Sequence, residues 1–359
     1  MSITAAQKKY FTTQLLDWHH NDNDRSLPWK SEKDPYKIWL SEIILQQTRA
    51  LQGLPYYLKF TTTYPTIKDL AAANDEDVFR IWQGLGYYNR CKNMLATARL
   101  VANDHHGTFP ASYDAILGLK GIGPYTAAAI ASFAYDLPHA VVDGNVYRVL
   151  SRYFAIDTPF DTTEGKKQFA TLAQELLAPD NSSAYNQAIM DLGATVCTPR
   201  NPACMECPLQ KNCIAYKQGM VQLLPVKSKK VQVTTRYFNY IVLEQDDKVW
   251  LRKRSGNDIW ENLYEPLLVE TDAPADKATI WATEPLAGMN DQVYNAAYAG
   301  KGTQRLTHRI IESTFFTAEA KTGIEVPGDG QWISKADMGK IAYPKTVLDF
   351  FKKNGYIWS

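Results

Sequence analysis

From residue 4 to about residue 216 apolar side chains recur at helical spacing, and no strand-like alternation persists. Residues 4–20 set Tyr10, Leu15 and Trp18 among polar neighbours, as an amphipathic helix would. Asp34-Pro35 opens a second helix by the cap-then-proline signal. Its apolar residues Ile38, Trp39, Leu40, Ile43, Ile44 and Leu45 fall on nearly every side, which predicts burial. Glu42 alone disturbs that pattern. Helical spacing continues over 51–116, with breaks at Tyr64-Pro65, Asn74-Asp75, Gln83-Gly84 and Gly107. Further helices are predicted over 124–135, 145–154, 162–178 and 182–196. In the last, Tyr185, Ile189, Leu192 and Val196 form one apolar stripe. Past a linker at 217–235 the period shortens to two. Residues 236–244 are β-branched and aromatic, 245–247 read as a turn, and 248–254 alternate as the partner strand of a hairpin. The expected architecture is multidomain: an all-α domain over 1–216, the linker over 217–235, and an α+β domain over 236–359.

A chain of 359 residues has room for two cores. With 45% hydrophobic and 21% charged residues it has a globular composition, and no apolar run is of membrane-spanning length. The N-terminal stretch has neither a signal-peptide core nor a transit-peptide character. The expectation is a cytoplasmic protein with no membrane partner. Net charge is +1, with 24 Lys and Arg against 21 Asp and Glu in residues 1–230. That balance cannot draw in a polyanion through a global field, so any nucleic-acid binding must rest on local donors.

Four features carry candidate chemistry. Gly121-Ile122-Gly123 precedes Pro124-Tyr125-Thr126, a tight turn feeding a helix whose free N–H groups suit a phosphate. About twenty residues later Asp143-Gly144-Asn145 sets a carboxylate on a turn. On the residues alone, an ordinary helix-to-helix turn with Asp143 as its cap is the simpler reading of the pair. Glu42 is either a structural carboxylate or a desolvated acid with a raised pKa. Tyr87 and Tyr88, on the glycine-hinged turn from Gln83 to Arg90, either pack or wedge into a base stack. Cys197, Cys204, Cys207 and Cys213 follow the spacing C-x6-C-x2-C-x5-C, which suits zinc or a [4Fe–4S] cluster better than disulfides. Cys91 stands apart, as a small core residue would.

Together, LxGIGxxTAxAI and VDGNV resemble the helix-hairpin-helix DNA glycosylase superfamily, which includes endonuclease III and the adenine-specific mismatch glycosylases. The resemblance implies two helical lobes with DNA bound across the cleft between them. It places Gly121 and Gly123 on a DNA phosphate and Asp143 at the glycosidic bond. WLSEIILQQT resembles the catalytic helix of the adenine enzymes, which makes Glu42 the proton donor. The cysteine loop matches the superfamily's [4Fe–4S] loop. Where endonuclease III has its nucleophilic lysine this chain has Tyr125, which forms no imine, and Lys120 in the hairpin turn is a poor substitute. Tyr125 and Asn145 would orient the acid groups. Arg25, Leu27, Trp29 and Gln187 match the adenine pocket. Gln47, Thr48, Leu85 and Tyr87 match residues that touch or wedge beside the opposite base.

Residues 236–359 resemble the Nudix-like domain of the adenine glycosylases, through Ile259-Trp260, Tyr264, Pro266, Gln331-Trp332-Ile333 and Tyr343-Pro344-Lys345. They contain no REXXEE-type run to hold metal, so the domain would read a lesion and not hydrolyse pyrophosphate. Leu306-Thr307-His308 stands where the family reads 8-oxoguanine with Phe-Ser-His, which makes Thr307 and His308 the candidate readers. The implied activity is monofunctional excision of adenine opposite 8-oxoguanine or guanine in double-stranded DNA, by a monomer in the nucleoid. The alternatives are a thymine-mismatch or oxidised-pyrimidine glycosylase, and a non-catalytic redox-sensing Fe–S module that binds DNA.

Overall fold

The computed structural model describes residues 3–228, 232–256, 258–289 and 291–357. Lys229 and Lys230 of the expected linker lie outside them. The chain divides into two compact units, one of residues 1–71 and 96–230, the other of 72–95 and 231–359.

The first unit is helical, and its helices begin where cap chemistry dictates. Thr4 and Gln7 form a capping box at Ala5–Asn21, Asp34 caps Pro35–Leu45, and Thr162 caps Thr163–Leu176. Helix Pro35–Leu45 is buried from Ile38 through Ile44, as its all-round apolar pattern requires. Tyr185, Ile189 and Leu192 of helix Ser182–Thr195 join Phe11, Leu15, Val149 and Phe169 in the main core. Val196, one residue past that helix, is only half-buried and packs against the core's edge. Helix Thr163–Leu176 stops short of residue 178 because Pro179 disfavours a helical Ala178, and Leu177 has already turned extended at ψ 138°. No helix among the described residues is long and apolar enough to cross a membrane.

The second unit is built on seven strands: β1 (Thr234–Gln245), β2 (Lys248–Lys253), β3 (Tyr264–Glu265), β4 (Leu267–Thr271), β5 (Val293–Arg305), β6 (Arg309–Ala320) and β7 (Gln331–Ser334). The order β3-β2-β1-β6-β5 places β1 at the centre, parallel to β6, with β4 also pairing β1 and β7 pairing β2. The β1–β2 hairpin closes at Gln245 and Lys248, with Asp246 in the left-handed region. Phe238 to Leu243 are buried without alternation. A central strand covered on both faces loses the period of two.

Residues 72–95 are tied to this sheet by hydrogen bonds. The Tyr264 hydroxyl donates to Glu76 (2.9 Å), the Tyr343 amide donates to the Gln83 side chain (3.2 Å), and Lys92 pairs with Glu261 (3.0 Å).

Candidate active site

Three helices of the first unit bring the acid groups together. Helix Pro35–Leu45 carries Glu42, Pro124–Tyr135 begins with Tyr125 in its first turn, and Asp143 caps Gly144–Phe154. Glu42 is 6% exposed. Burial raises its carboxyl to about 7, and the nearby Asp143 charge adds to that rise. A hydrogen bond with Tyr125 pulls the other way, because it favours the ionised form. The Tyr125 hydroxyl is itself raised well above its ordinary value, by burial and by the two carboxylates.

Asp143 is held differently. Burial raises it too, but its Oδ1 accepts from the Asn145 and Val146 amides (both 2.8 Å) and its Oδ2 from the Asn145 side chain (2.6 Å). The cap bonds that start the helix oppose that rise, because they favour the ionised form. Burial raises both carboxyls, but at Asp143 three hydrogen bonds and the Arg148 charge oppose the rise, whereas at Glu42 the Tyr125 hydrogen bond opposes it and the Asp143 charge adds to it.

Asn145 is locked in turn. Its Oδ1 accepts from Arg148 (2.8 Å), which also donates to the carbonyls of Gly193 (2.7 Å) and Cys197 (2.7 Å). One turn on, Arg152 donates to the carbonyls of Thr198 (2.8 Å) and Leu224 (3.1 Å) and reaches the Cys197 sulfur at 3.4 Å. Sequence reasoning missed both arginines. Their spacing of four put them on one helix face, but only the fold shows what that face meets.

Asp191 was missed as well. It is fully buried and gathers Arg25 (2.7 Å), Lys30, Asn23 (2.8 Å) and Gln187 (3.4 Å). Two of the pocket residues expected from the sequence, Arg25 and Gln187, therefore share one carboxylate. Trp29 packs edge-on against Tyr57 with ring centres 5.3 Å apart, and Leu27 is half-buried. The signal was available in part: Asp191 sits four residues after Gln187, beside Leu192 of the apolar stripe.

The hairpin turn has the backbone that its glycines imply, with Gly121 at φ +76° and Gly123 capping Pro124–Tyr135 through no side chain. An added Cβ on Gly123 would meet nothing within 4 Å. Lys120 is exposed, and its carbonyl accepts from Thr97 (2.7 Å). Gln47, just past helix Pro35–Leu45, is exposed at φ +56°, and Thr48 is half-buried.

The four loop cysteines are half-buried and form no disulfide. Cys207 is raised to about 12, first by burial and then by the other three sulfurs, while the Leu209 amide bonds to it. The Ala215 and Tyr216 amides bond to Cys213. No three His, Cys, Asp or Glu side chains among the described residues converge on a single ion. In an iron–sulfur cluster each thiolate takes its own iron, so convergence on one point is not required. Mutually close sulfurs supplied with N–H donors fit such a cluster. Cys91 is buried, as a core thiol.

In the second unit, Leu85 is buried at 5% exposure while Tyr87 stands out at 46% and φ +50°. Arg90 lies over the rings of both Trp82 and Tyr87. Thr307 and His308 are exposed at the tip of the β5–β6 hairpin, and the Thr307 hydroxyl hydrogen-bonds that of Tyr87.

Residues 40–179 match the HhH-GPD superfamily base excision DNA repair proteins, 197–213 the iron-sulfur binding domain of endonuclease III, and 239–353 a NUDIX domain. Fold and site thus define a DNA glycosylase with a [4Fe–4S] loop and a Nudix-like C-terminal domain. An adenine DNA glycosylase of Buchnera aphidicola subsp. Acyrthosiphon pisum is 34% identical over 356 residues, 96% of this chain and 99% of that protein. One from Mus musculus is 40% identical over 60% of this chain and 44% of its own length. This chain belongs to the adenine DNA glycosylase family, and it removes adenine from mismatches in DNA. Among solved structures, a thermostable thymine-DNA glycosylase is 32% identical with a TM-score of 0.55, over 59% of this chain and 97% of that one. Endonuclease III in a non-covalent DNA complex shares the fold at 20% identity and a TM-score of 0.53, over 61% of this chain and 99% of its own.

Proposed function

We propose that the enzyme excises adenine paired with 8-oxoguanine or guanine in double-stranded DNA, as a monomer in the nucleoid, by hydrolysis with no covalent imine. The observation that carries this is Glu42, buried and with its pKa near 7, beside the hydrogen-bonded Asp143. Adenine leaves poorly as an anion. Glu42 gives a proton to N7, and the C1′–N9 bond breaks with its electron pair going to the base. Positive charge grows at C1′, where ionised Asp143 stabilises it. Water then attacks C1′ and returns a proton to Glu42. Tyr125 and Asn145 hold the two carboxyls in place, while Gly121 and Gly123 present amides to a phosphate. Arg25, Leu27, Trp29 and Gln187 receive the flipped base, ordered through Asp191.

In this reading residues 1–216 carry the chemistry, 217–235 link, and 236–359 read the opposite base. Thr307 and His308 are the readers, and Leu85, Tyr87, Gln47 and Thr48 contribute to recognition of the opposite strand. The test is single-turnover excision from A:8-oxoguanine, A:G, T:G and oxidised-pyrimidine duplexes. Fast release of adenine from the first two supports the reading. Equal or faster release of a pyrimidine overturns it.

A further inference from the structure

In the second unit, three arginines from different elements meet on one carboxylate. Asp258 accepts two bonds from Arg236 of β1 (both 2.8 Å), one from Arg254 after β2 (2.8 Å) and one from Arg309 at the start of β6 (3.1 Å). Burial alone would raise this carboxyl, but the Arg236 bonds and the charges of Arg236 and Arg254 hold it well below the usual carboxylate range. Arg254 also pairs with the fully buried Glu265 (2.6 Å), which takes Arg252 (3.0 Å) and the Tyr240 hydroxyl (3.2 Å) as well. The carboxylates are thus anchored to the central strands.

Arg309 follows His308 directly. The Leu306 amide donates to the Arg309 carbonyl (2.7 Å) and the Thr234 amide to the His308 carbonyl (3.1 Å), closing the base of the tip. Three residues beyond Asp258, Glu261 pairs with Lys92 on the helix that begins just after Tyr87. The short segment 258–261 therefore touches both supports of the Tyr87–Thr307 contact: the root of the tip through Arg309, and the helix behind the tyrosine turn through Lys92.

We propose that Asp258 is a positioning residue for recognition of the base opposite adenine, setting the Thr307–His308 tip through its ion pair with Arg309. The inference rests on the reading of that tip as the lesion reader. A side chain held by two charge-assisted bonds from Arg236 has little freedom, so displacement of Arg309 moves the tip and not the hub.

The test compares wild type, Asp258→Asn, Arg309→Gln and the double variant, all full-length and cluster-loaded. Excision rates are measured at sub-saturating enzyme on A:8-oxoguanine and A:G duplexes, over a range of salt concentrations. Each single variant is expected to lower the ratio of the two rates by roughly tenfold, with the double variant no worse than Asp258→Asn, because both single changes remove the Asp258–Arg309 pair. Saturating rates on A:G stay unchanged. Additive losses overturn the inference. So does a salt slope reduced by about one in Arg309→Gln, since that marks a direct phosphate contact. Should Asp258→Asn fail to fold, Arg309→Gln decides, because its side chain is 41% exposed. A wild type that treats both duplexes alike overturns the reader assignment together with this inference. A discriminating wild type with equally discriminating variants overturns the inference alone.

Discussion

Replacing Glu42 by glutamine should abolish excision and yet stabilise the protein above neutral pH. The carboxyl is 6% exposed and titrates near 7, against 4.5 when unperturbed. A raised folded-state pKa gives stability that is complete below the unfolded pKa and is lost as pH rises through the folded one. The sign follows from the buried group staying neutral while the unfolded one ionises. The shift corresponds to ~3 kcal/mol at 1.36 kcal/mol per unit. Glutamine keeps the shape and never ionises. Wild type and Glu42→Gln should therefore be equally stable near pH 4.5, diverge between pH 4.5 and 7, and differ by ~3 kcal/mol above that. Urea unfolding of both proteins across this range measures the gap. The same variant should lose excision by about 10²–10⁴-fold while still binding the duplex. A gap that does not change with pH would refute the burial argument, whatever happened to activity.

Other outcomes follow from the same geometry. Tyr125→Phe removes the hydrogen bond that lowers the Glu42 pKa, so the alkaline limb of the excision–pH profile should move upward; a limb that stays put or moves down would show that the hydroxyl does not act on Glu42. A Cβ on Gly193 would stand 2.6 Å from the Asn145 Cβ and 3.0 Å from its backbone. Gly193→Ala should cost roughly 1–3 kcal/mol by overpacking and slow excision by tilting Asp143, with Gly193→Ser at least as severe; wild-type rates in both would contradict this. The purified protein should carry about four irons per chain, and Cys197→Ser should lose iron and lower the thermal midpoint; stoichiometric zinc in place of iron would be the contrary result. Borohydride should trap almost no protein–DNA adduct, since Tyr125 cannot form an imine. Efficient trapping that vanishes in Lys120→Ala would assign that role to the turn lysine.

Much of this protein was legible from local pattern. The caps at Asp34 and Asp143, the all-round apolar helix around Glu42 and the glycine turn at 121–123 depend on neighbours within a few residues. One chain therefore states them in full. The β1–β2 hairpin was legible for the same reason. What local pattern could not decide was the state of Glu42. Its pKa depends on how completely other helices exclude water and on the approach of Asp143, which lies far away in sequence. Asp191 was opaque likewise, because a carboxylate on an apolar face becomes informative only when Arg25, Lys30 and Gln187 converge on it. Residues 72–95 make the point most clearly. Their sequence reads as helix and turn like its neighbours, yet they group with 231–359, through Glu76, Gln83 and Lys92. The bonds that join them span from about 170 to 260 positions of sequence. Sequence determined the elements and the chemistry they carry, since those rest on short-range sterics and hydrogen bonding. Tertiary structure decided which groups share a desolvated space, and so which of them hold a proton.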